Sequence, residues 1–403
     1  MIPLEQARQA VLDSCPAPEV ATVALADALS LVTAAEIVAR EAIPPFDNTA
    51  MDGYALKAAD TVAAPVRLRV VGEVRAGQAE LPAVGDGEAV RIMTGAQIPP
   101  GADAVVVVEQ TTLDGDGVLV DVAVERGEWI RRSGDDVSPG DVVLREGVEL
   151  RPAHLGVIAE LGHDEVVVYR RLRVGVISTG DELVRNGSPL GPGQIRESNQ
   201  DLLLAALAKA NCIPVDLGVV PDDEAAITAA LEDGCRRCDA IITSGGVSMG
   251  DYDLVRLLLD KLGQMQWMQI AIRPAKPFAF GLLGDGARKT PVFGLPGNPV
   301  SSLVSFELLA LPALRQMMGH RNPMRELVRA IADRPLRRRA GDDKVHWQRV
   351  VAHFGADGRL HVESTGAQGS HQLANSAAAN ALARLVDGPG ADAGDEVDVL
   401  LFD

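Results

Sequence analysis

Residues 239–255 read DAIITSGGVSMGDYDLV, and the fold turns on how this stretch is read. Ala240-Ile241-Ile242 is a short, wholly apolar run of the kind buried inside a sheet. It leads into Ser244-Gly245-Gly246, where small residues let backbone N–H groups close in on an anion. Helix-like spacing follows from Asp253 onward. A strand, a glycine-rich turn and a helix in that order form one unit of an α/β fold. The turn is chemically mixed, because Asp251 and Asp253 place carboxylates beside an anion cradle. Any ligand held there must reconcile the two.

The same unit recurs on both sides. LRVGVIS, IPVDLGVV and TPVFGLPGN read as strands between about 170 and 319, alternating with the helical patterns NQDLLLAALAKA, DEAAITAALEDG and DLVRLLLDKLG. A long helix, PVSSLVSFELLALPALRQMMG, opens on Pro299. Ser198 or Asn199 is the expected N-cap of the first helix. This alternation predicts a doubly wound parallel sheet with its ligand crevice at the carboxyl ends of the strands.

The flanks read differently. Residues 4–40 are mostly helical in pattern, around EQARQAVLDS and LVTAAEIVAR, until Pro44-Pro45. Short strands bounded by Gly, Pro or Asp follow, among them VRLRVVGEVRAG, EAVRIMTG, ADAVVVVEQT and GDVVLREG, before a helix at 153–162. After 320 the pattern is again strand-like, with Asp357-Gly358 as a hairpin turn. The expected architecture is multidomain α/β plus β. An N-terminal helical and linker region (1–168) carries an inserted β-rich subdomain at about 45–150, a central α/β domain spans 169–319, and a C-terminal β-barrel-like domain spans 320–403.

Composition narrows the function. The 403 residues carry a net charge of −18, are 47% hydrophobic and only 3% aromatic. Such a surface repels nucleic acid and anionic membrane, and it lacks stacking platforms for single strands. No apolar run approaches the roughly 20 residues of a membrane span, and the N-terminus has no apolar signal core, so the cytoplasm is the expected location. The pair Cys235/Cys238 lacks further ligands for zinc and reads as ordinary thiols. The seven histidines show no metal-binding spacing.

Chemistry is expected in four strand-end loops: 178–182, 221–223, 244–248 and 295–299. None fits a P-loop or a dinucleotide fingerprint. Glu182, Asp222 and Asp253 either cap helices or hold a hard cation against a phosphoryl oxygen, and spacing leaves both open. Arg273 and Lys276, in the proline-kinked IAIRPAKPFAFG, favour anion binding over a solvated surface.

PPFDNTAMDGYAL (44–56), RIMTGAQIPPGADAVVVVEQ (91–110), STGDEL, SGGVSMGDYD, RPAKPFAFG and GLPGNPVSS occur in this order. The whole chain resembles the molybdopterin molybdenumtransferases of the MoeA type, related to the gephyrin E domain. The resemblance implies Mg²⁺-dependent cleavage of adenylyl-molybdopterin in the presence of molybdate, with release of AMP and molybdenum cofactor. It also implies a homodimer in which one subunit's N-terminal region completes its partner's central crevice. A molybdopterin adenylyltransferase would donate the substrate, and molybdoenzyme maturation proteins are further expected partners.

Carried over by motif, Thr179, Gly180, Ser244, Gly245, Gly246, Ser248 and Ser301 would bind the substrate. Asp222 and Asp253 would stand by the metal. Asp52, Thr94, Arg131, Asp136 and Glu182 match positions tied to activity. Molybdate would lie near Arg273, Lys276, Pro277, Arg349 and Ser370. One departure stands out, since the family pattern is closer to KPGKP and this chain has Arg273 and Ala275 instead. Two other readings remain: adenylyl transfer to molybdopterin, which the central domain alone resembles, and a non-catalytic scaffold. The acidic residues at 52, 182, 222 and 253 favour catalysis.

Overall fold

The computed structural model describes residues 1–185, 187–246, 254–284, 289–339 and 341–402. Its central sheet has six strands in the order Ile213–Val220, Arg173–Thr179, Ala240–Ser244, Thr290–Leu295, Pro277–Leu283, Gly263–Gln269. The first four run parallel. Strand direction in the core explains the sequence pattern. Val174, Val176, Ala240 and Ile242 pack with Leu203 and Leu207 of the helix Asn199–Lys209. Ile177 and Ile241 face the other way, onto Ile227 and Leu231 of Glu224–Arg237 and Val255 and Leu258 of Leu254–Leu262. Both faces of these strands are covered, so they read as unbroken apolar runs.

Two strands of this sheet differ from expectation, since Gly263–Gln269 and Pro277–Leu283 add an antiparallel pair to the parallel core. GQMQWMQ is half polar, with Met265 and Trp267 on its inner side, the alternation of a half-exposed edge strand. LVTAAEIVAR is likewise not helical. Val32–Thr33 and Ile37–Val38 are two short strands, held by Glu165–Tyr169 and Val142–Leu144. Partners distant in sequence override the helical preference of the alanines there. At the first central helix Ser198 sits at the N-cap without a side-chain hydrogen bond. The Glu197 carboxylate accepts from Gln200 N instead.

The long helix after Pro299 has a wide, π-type turn at Phe306–Ala310. Pro312 has no N–H to donate to the carbonyl of Leu308, four residues back. Arg8 Nε donates to that oxygen at 2.8 Å. The N-terminal helix Leu4–Ser14 thus docks on the central core, where Leu4, Ala7 and Val11 are buried.

The β-rich N-terminal part is a six-stranded sheet built from segments between Gly53 and Val120. In the C-terminal part Val345–Phe354, Leu360–Ser364, Leu327–Ala332, Glu396–Leu401 and Ala381–Leu385 pair in turn, and the last pairs with the first, closing a barrel. The expected hairpin lies at Gly358, φ +76°. Ile272–Arg273 adds to this barrel beside Val345 and His346, although the next strand, Pro277–Leu283, belongs to the central sheet.

Candidate active site

The order of the parallel strands reverses between Arg173–Thr179 and Ala240–Ser244, the place where open α/β sheets bind ligands. Thr179 and Ser244 end these two strands, and both are buried. Gly245 and Gly246 follow with φ +99° and +72°. A Cβ on Gly246 would lie 2.3 Å from Val255 Cβ, so the turn has room for no side chain there. The loops are tied to one another. Gly180 N donates to Val220 O at 3.2 Å, and Gly245 N to Leu295 O at 3.0 Å. Asn199 Nδ2 donates to Ser244 Oγ and to Gly297 O, both at 2.7 Å.

Asn199 bolts the third and fourth loops together, a role beyond the helix cap expected of it. Its Oδ1 is buried without a hydrogen-bond partner among the described residues. Glu182 and Asp222 are exposed at the rim, where Asp181 Oδ1 accepts from Asp222 N at 3.1 Å. Ser301 is buried in the helix that leaves the fourth loop. Ser248 and Asp253 lie outside the described residues.

A barrel loop reaches the crevice. Val300 N donates to Ser370 O at 3.2 Å, so Ser370 stands against the turn before Ser301. Arg349 holds this loop from within and is 1% exposed. Its guanidinium donates to Gln368 Oε1, Gln372 O, Ser376 Oγ, Ala367 O and Gly369 O. All five N–H donors are thereby engaged, and burial lowers its pKa. In this arrangement Arg349 orders the loop that carries Ser370.

Arg273 and Lys276 are exposed. Arg273 Nη1 lies 2.9 Å from Asp342 Oδ2, so its charge is shared with a barrel carboxylate. Pro277 starts the strand that returns to the central sheet. Between them Ala275 is buried at φ +74°, where an L-residue pays roughly 1–2 kcal/mol. The chain keeps a glycine-like backbone here without the glycine.

The four N-terminal positions gather around residues 43–52. Asp52 Oδ1 accepts from Thr94 N and Thr94 Oγ1, both at 2.7 Å. The Thr94 hydroxyl and then its amide hold the Asp52 carboxyl below the ordinary range. Gly53 follows because a Cβ there would lie 1.9 Å from Val106 O. Arg131 pairs with Asn48 in a short ladder, and Asp136 N donates to Ile43 O at 3.0 Å. These bonds run among the N-terminal residues, while those of the crevice loops run among the loops.

Family models match nearly the whole chain: residues 2–162 fit the MoeA N-terminal region (domain I and II), 175–316 a probable molybdopterin binding domain, and 329–402 the MoeA C-terminal region (domain IV). The chain belongs to the MoeA family. Molybdopterin molybdenumtransferase of Haemophilus influenzae is 41% identical over 377 residues, 92% of this chain and 91% of that protein. The Bacillus subtilis protein of the same name is 33% identical over 411 residues, covering 100% and 94%. The crystal structure of the molybdopterin biosynthesis MoeA protein from Pyrococcus horikoshii OT3 superposes with TM-score 0.82 at 32% identity, covering 100% of both chains. This MoeA chain is accordingly a transferase of molybdenum cofactor biosynthesis.

Two features of this MoeA chain bear on metal and redox chemistry. Among the described residues no three His, Cys, Asp or Glu side chains gather to cage a metal. At the crevice rim Glu182 and Asp222 supply carboxylate oxygens, the donor type that Mg²⁺ takes beside waters and phosphates. Cys238 is buried at the end of its helix, and burial pushes its thiol up to about 11. A reactive thiol needs the opposite shift. Among the described residues no helix is long and apolar enough to cross a membrane.

Proposed function

We propose that this chain inserts molybdenum into molybdopterin by cleaving adenylyl-molybdopterin with molybdate and Mg²⁺, releasing AMP and molybdenum cofactor. The observation that carries this reading is the meeting of Ser370, on the barrel loop, with the Val300 turn of the switch-point crevice. The barrel loop thereby stands against the turn before Ser301, and its Gly369 lines a cavity together with Arg273.

Thr179, Gly180, Ser244, Gly245, Gly246, Ser248 and Ser301 would bind the phosphate-bearing substrate through backbone and hydroxyl donors. Asn199 would keep the third and fourth loops at fixed separation, which positions the pyrophosphate for attack. Asp222 and Asp253 would hold Mg²⁺, which when bound neutralises phosphate charge and polarises the bridge. Lys276, Arg273, Pro277 and Ser370 would receive molybdate, with Arg349 ordering the loop that carries Ser370. A water oxygen would add to the adenylate phosphorus as the bridging P–O bond breaks, the bridging oxygen leaving on the molybdopterin phosphate and the water's protons passing to solvent, so that AMP is released. Glu182 at the rim would orient that nucleophile.

Asp52, Thr94, Arg131 and Asp136 would act from the partner subunit of a homodimer, closing the crevice to water. The units doing this would be residues 1–168, 169–319 and 320–403. A molybdopterin adenylyltransferase would supply the substrate, molybdoenzyme maturation proteins would take the product, and the reaction would run in the cytoplasm. The test is to incubate purified protein with adenylyl-molybdopterin, Mg²⁺ and molybdate. Molybdate-dependent release of AMP with metal in the product is expected. Adenylylation of free molybdopterin from ATP, or no turnover, would overturn the reading.

A further inference from the structure

We propose that a basic cavity at the mouth of the C-terminal barrel is an outer oxyanion site, where tetrahedral dianions of the molybdate type collect before reaching the crevice. The inference rests on the functional reading above for the identity of the anion. The cavity holds about 570 Å³ and is lined by Arg273 and by the run Arg337-Arg338-Arg339. Buried His346 and Gln348 form its floor, and Gly366, Gln368 and Gly369 one wall.

Four guanidinium groups here face two carboxylates. Arg273 pairs with Asp342 at 2.9 Å, and Arg337 with Asp392 at 2.5 Å. Among the described residues Arg338 donates only to the main-chain carbonyls of Gly388, Asp342 and Lys344. Its Nε is buried with no partner among the described residues. Arg339 is exposed and makes no ion pair among the described residues. The excess is positive in a chain of net charge −18.

The lining decides the ligand class. Among the described lining residues Pro335 is the one apolar side chain, and the one ring with a π-face, His346, is buried. Nothing there would stack a pterin or an adenine, whereas forked guanidinium groups suit a small oxyanion. A dianion approaching this protein meets a repulsive overall field, and a local cluster of cations offsets that by focusing it. The cavity also leads somewhere. Gly369 lines it, and the next residue, Ser370, takes the hydrogen bond from Val300 in the crevice. Arg273 in the cavity is three residues from Lys276.

The test measures molybdate, sulfate and phosphate binding by titration calorimetry on the full chain without nucleotide, with the double variant Arg337→Ala/Arg339→Ala alongside. The expected result is at least a tenfold loss of molybdate affinity, a flatter salt dependence and an unchanged thermal midpoint. In turnover the apparent KM for molybdate should rise by a similar factor while kcat holds. Sulfate competing with molybdate supports a site for tetrahedral dianions in general, and molybdate alone supports a dedicated one. Unchanged affinity and KM in the double variant, or binding of phosphate alone, would overturn the proposal. Should the double variant lose its thermal transition, Arg339→Gln alone carries the test, with the same loss expected and unchanged affinity again overturning it. Molybdate binding in a wild-type protein that releases no AMP would sink the functional reading and leave this site standing. AMP release with an unchanged KM in the variant would sink the site alone.

Discussion

A buried arginine without a carboxylate beside it must satisfy its donors by other means, and Arg349 does so with five neutral acceptors. Arg349→Lys offers three donors in a compact head and strands the remaining oxygens. Leaving such buried acceptors unmade costs about 2–4 kcal/mol. Thermal denaturation should show that loss, with faster proteolysis within 366–372. A variant with wild-type stability that no longer binds molybdate would instead mark Arg349 as a direct ligand. The Asp52 and Thr94 pair makes a second residue-scale prediction. Hydrogen bonds from Thr94 hold the Asp52 carboxyl below its ordinary range, so the charged form persists to lower pH in the native protein. Thr94→Val removes the hydroxyl donor and keeps the amide, so the acid limb of the pH–rate profile for AMP release should move to higher pH. An unmoved limb means that Asp52 does not set it. From sequence alone these residues could be named by resemblance to a family. Their partners could not, because the burial of Arg349 depends on a loop some twenty residues further along.

Elements with many residues of one period were legible: the parallel strands, their helices and the barrel hairpin all follow from apolar runs and turn residues. Elements defined by a partner were not. Val32–Thr33 and Ile37–Val38 are too short to carry a period, and GQMQWMQ hides an edge strand behind its glutamines. The Arg337-Arg338-Arg339 run is no more legible, since its chemistry appears where the fold brings it beside Arg273. The long helix after Pro299 was legible in extent but not in its defect. There the Arg8 side chain replaces the hydrogen bond that Pro312 cannot donate. Arg8→Met should destabilise the chain by about 1–3 kcal/mol. In a Pro312→Ala background the helix regains its own donor for Leu308 O, so the same substitution should cost less. A double-mutant cycle by denaturant unfolding reads the coupling, and strict additivity would contradict it.

At the scale of the whole molecule, the seam between barrel and central domain is ionic as well as hydrogen-bonded. Burial alone would raise the Asp342 carboxyl, but hydrogen bonds from Lys344, Arg273 and His346 outweigh it and hold it well below the carboxylate range. A depressed carboxyl stabilises the fold above its unfolded value of about 3.9 and loses that contribution as pH falls. Asp342→Asn should therefore lower the thermal midpoint most near neutral pH, and the gap to wild type should narrow below about pH 4. A gap independent of pH would show that the charge is not what holds the seam. The short strand Ile272–Arg273 ties the same seam by backbone pairing, since it lies in the barrel while its chain neighbours build the central sheet. The barrel sheet thus takes in one strand from outside residues 320–403. A chimera that grafts a relative's C-terminal part onto this chain would leave behind the donor's own border strand, and the graft would need residues 271–276 swapped along with it to fit.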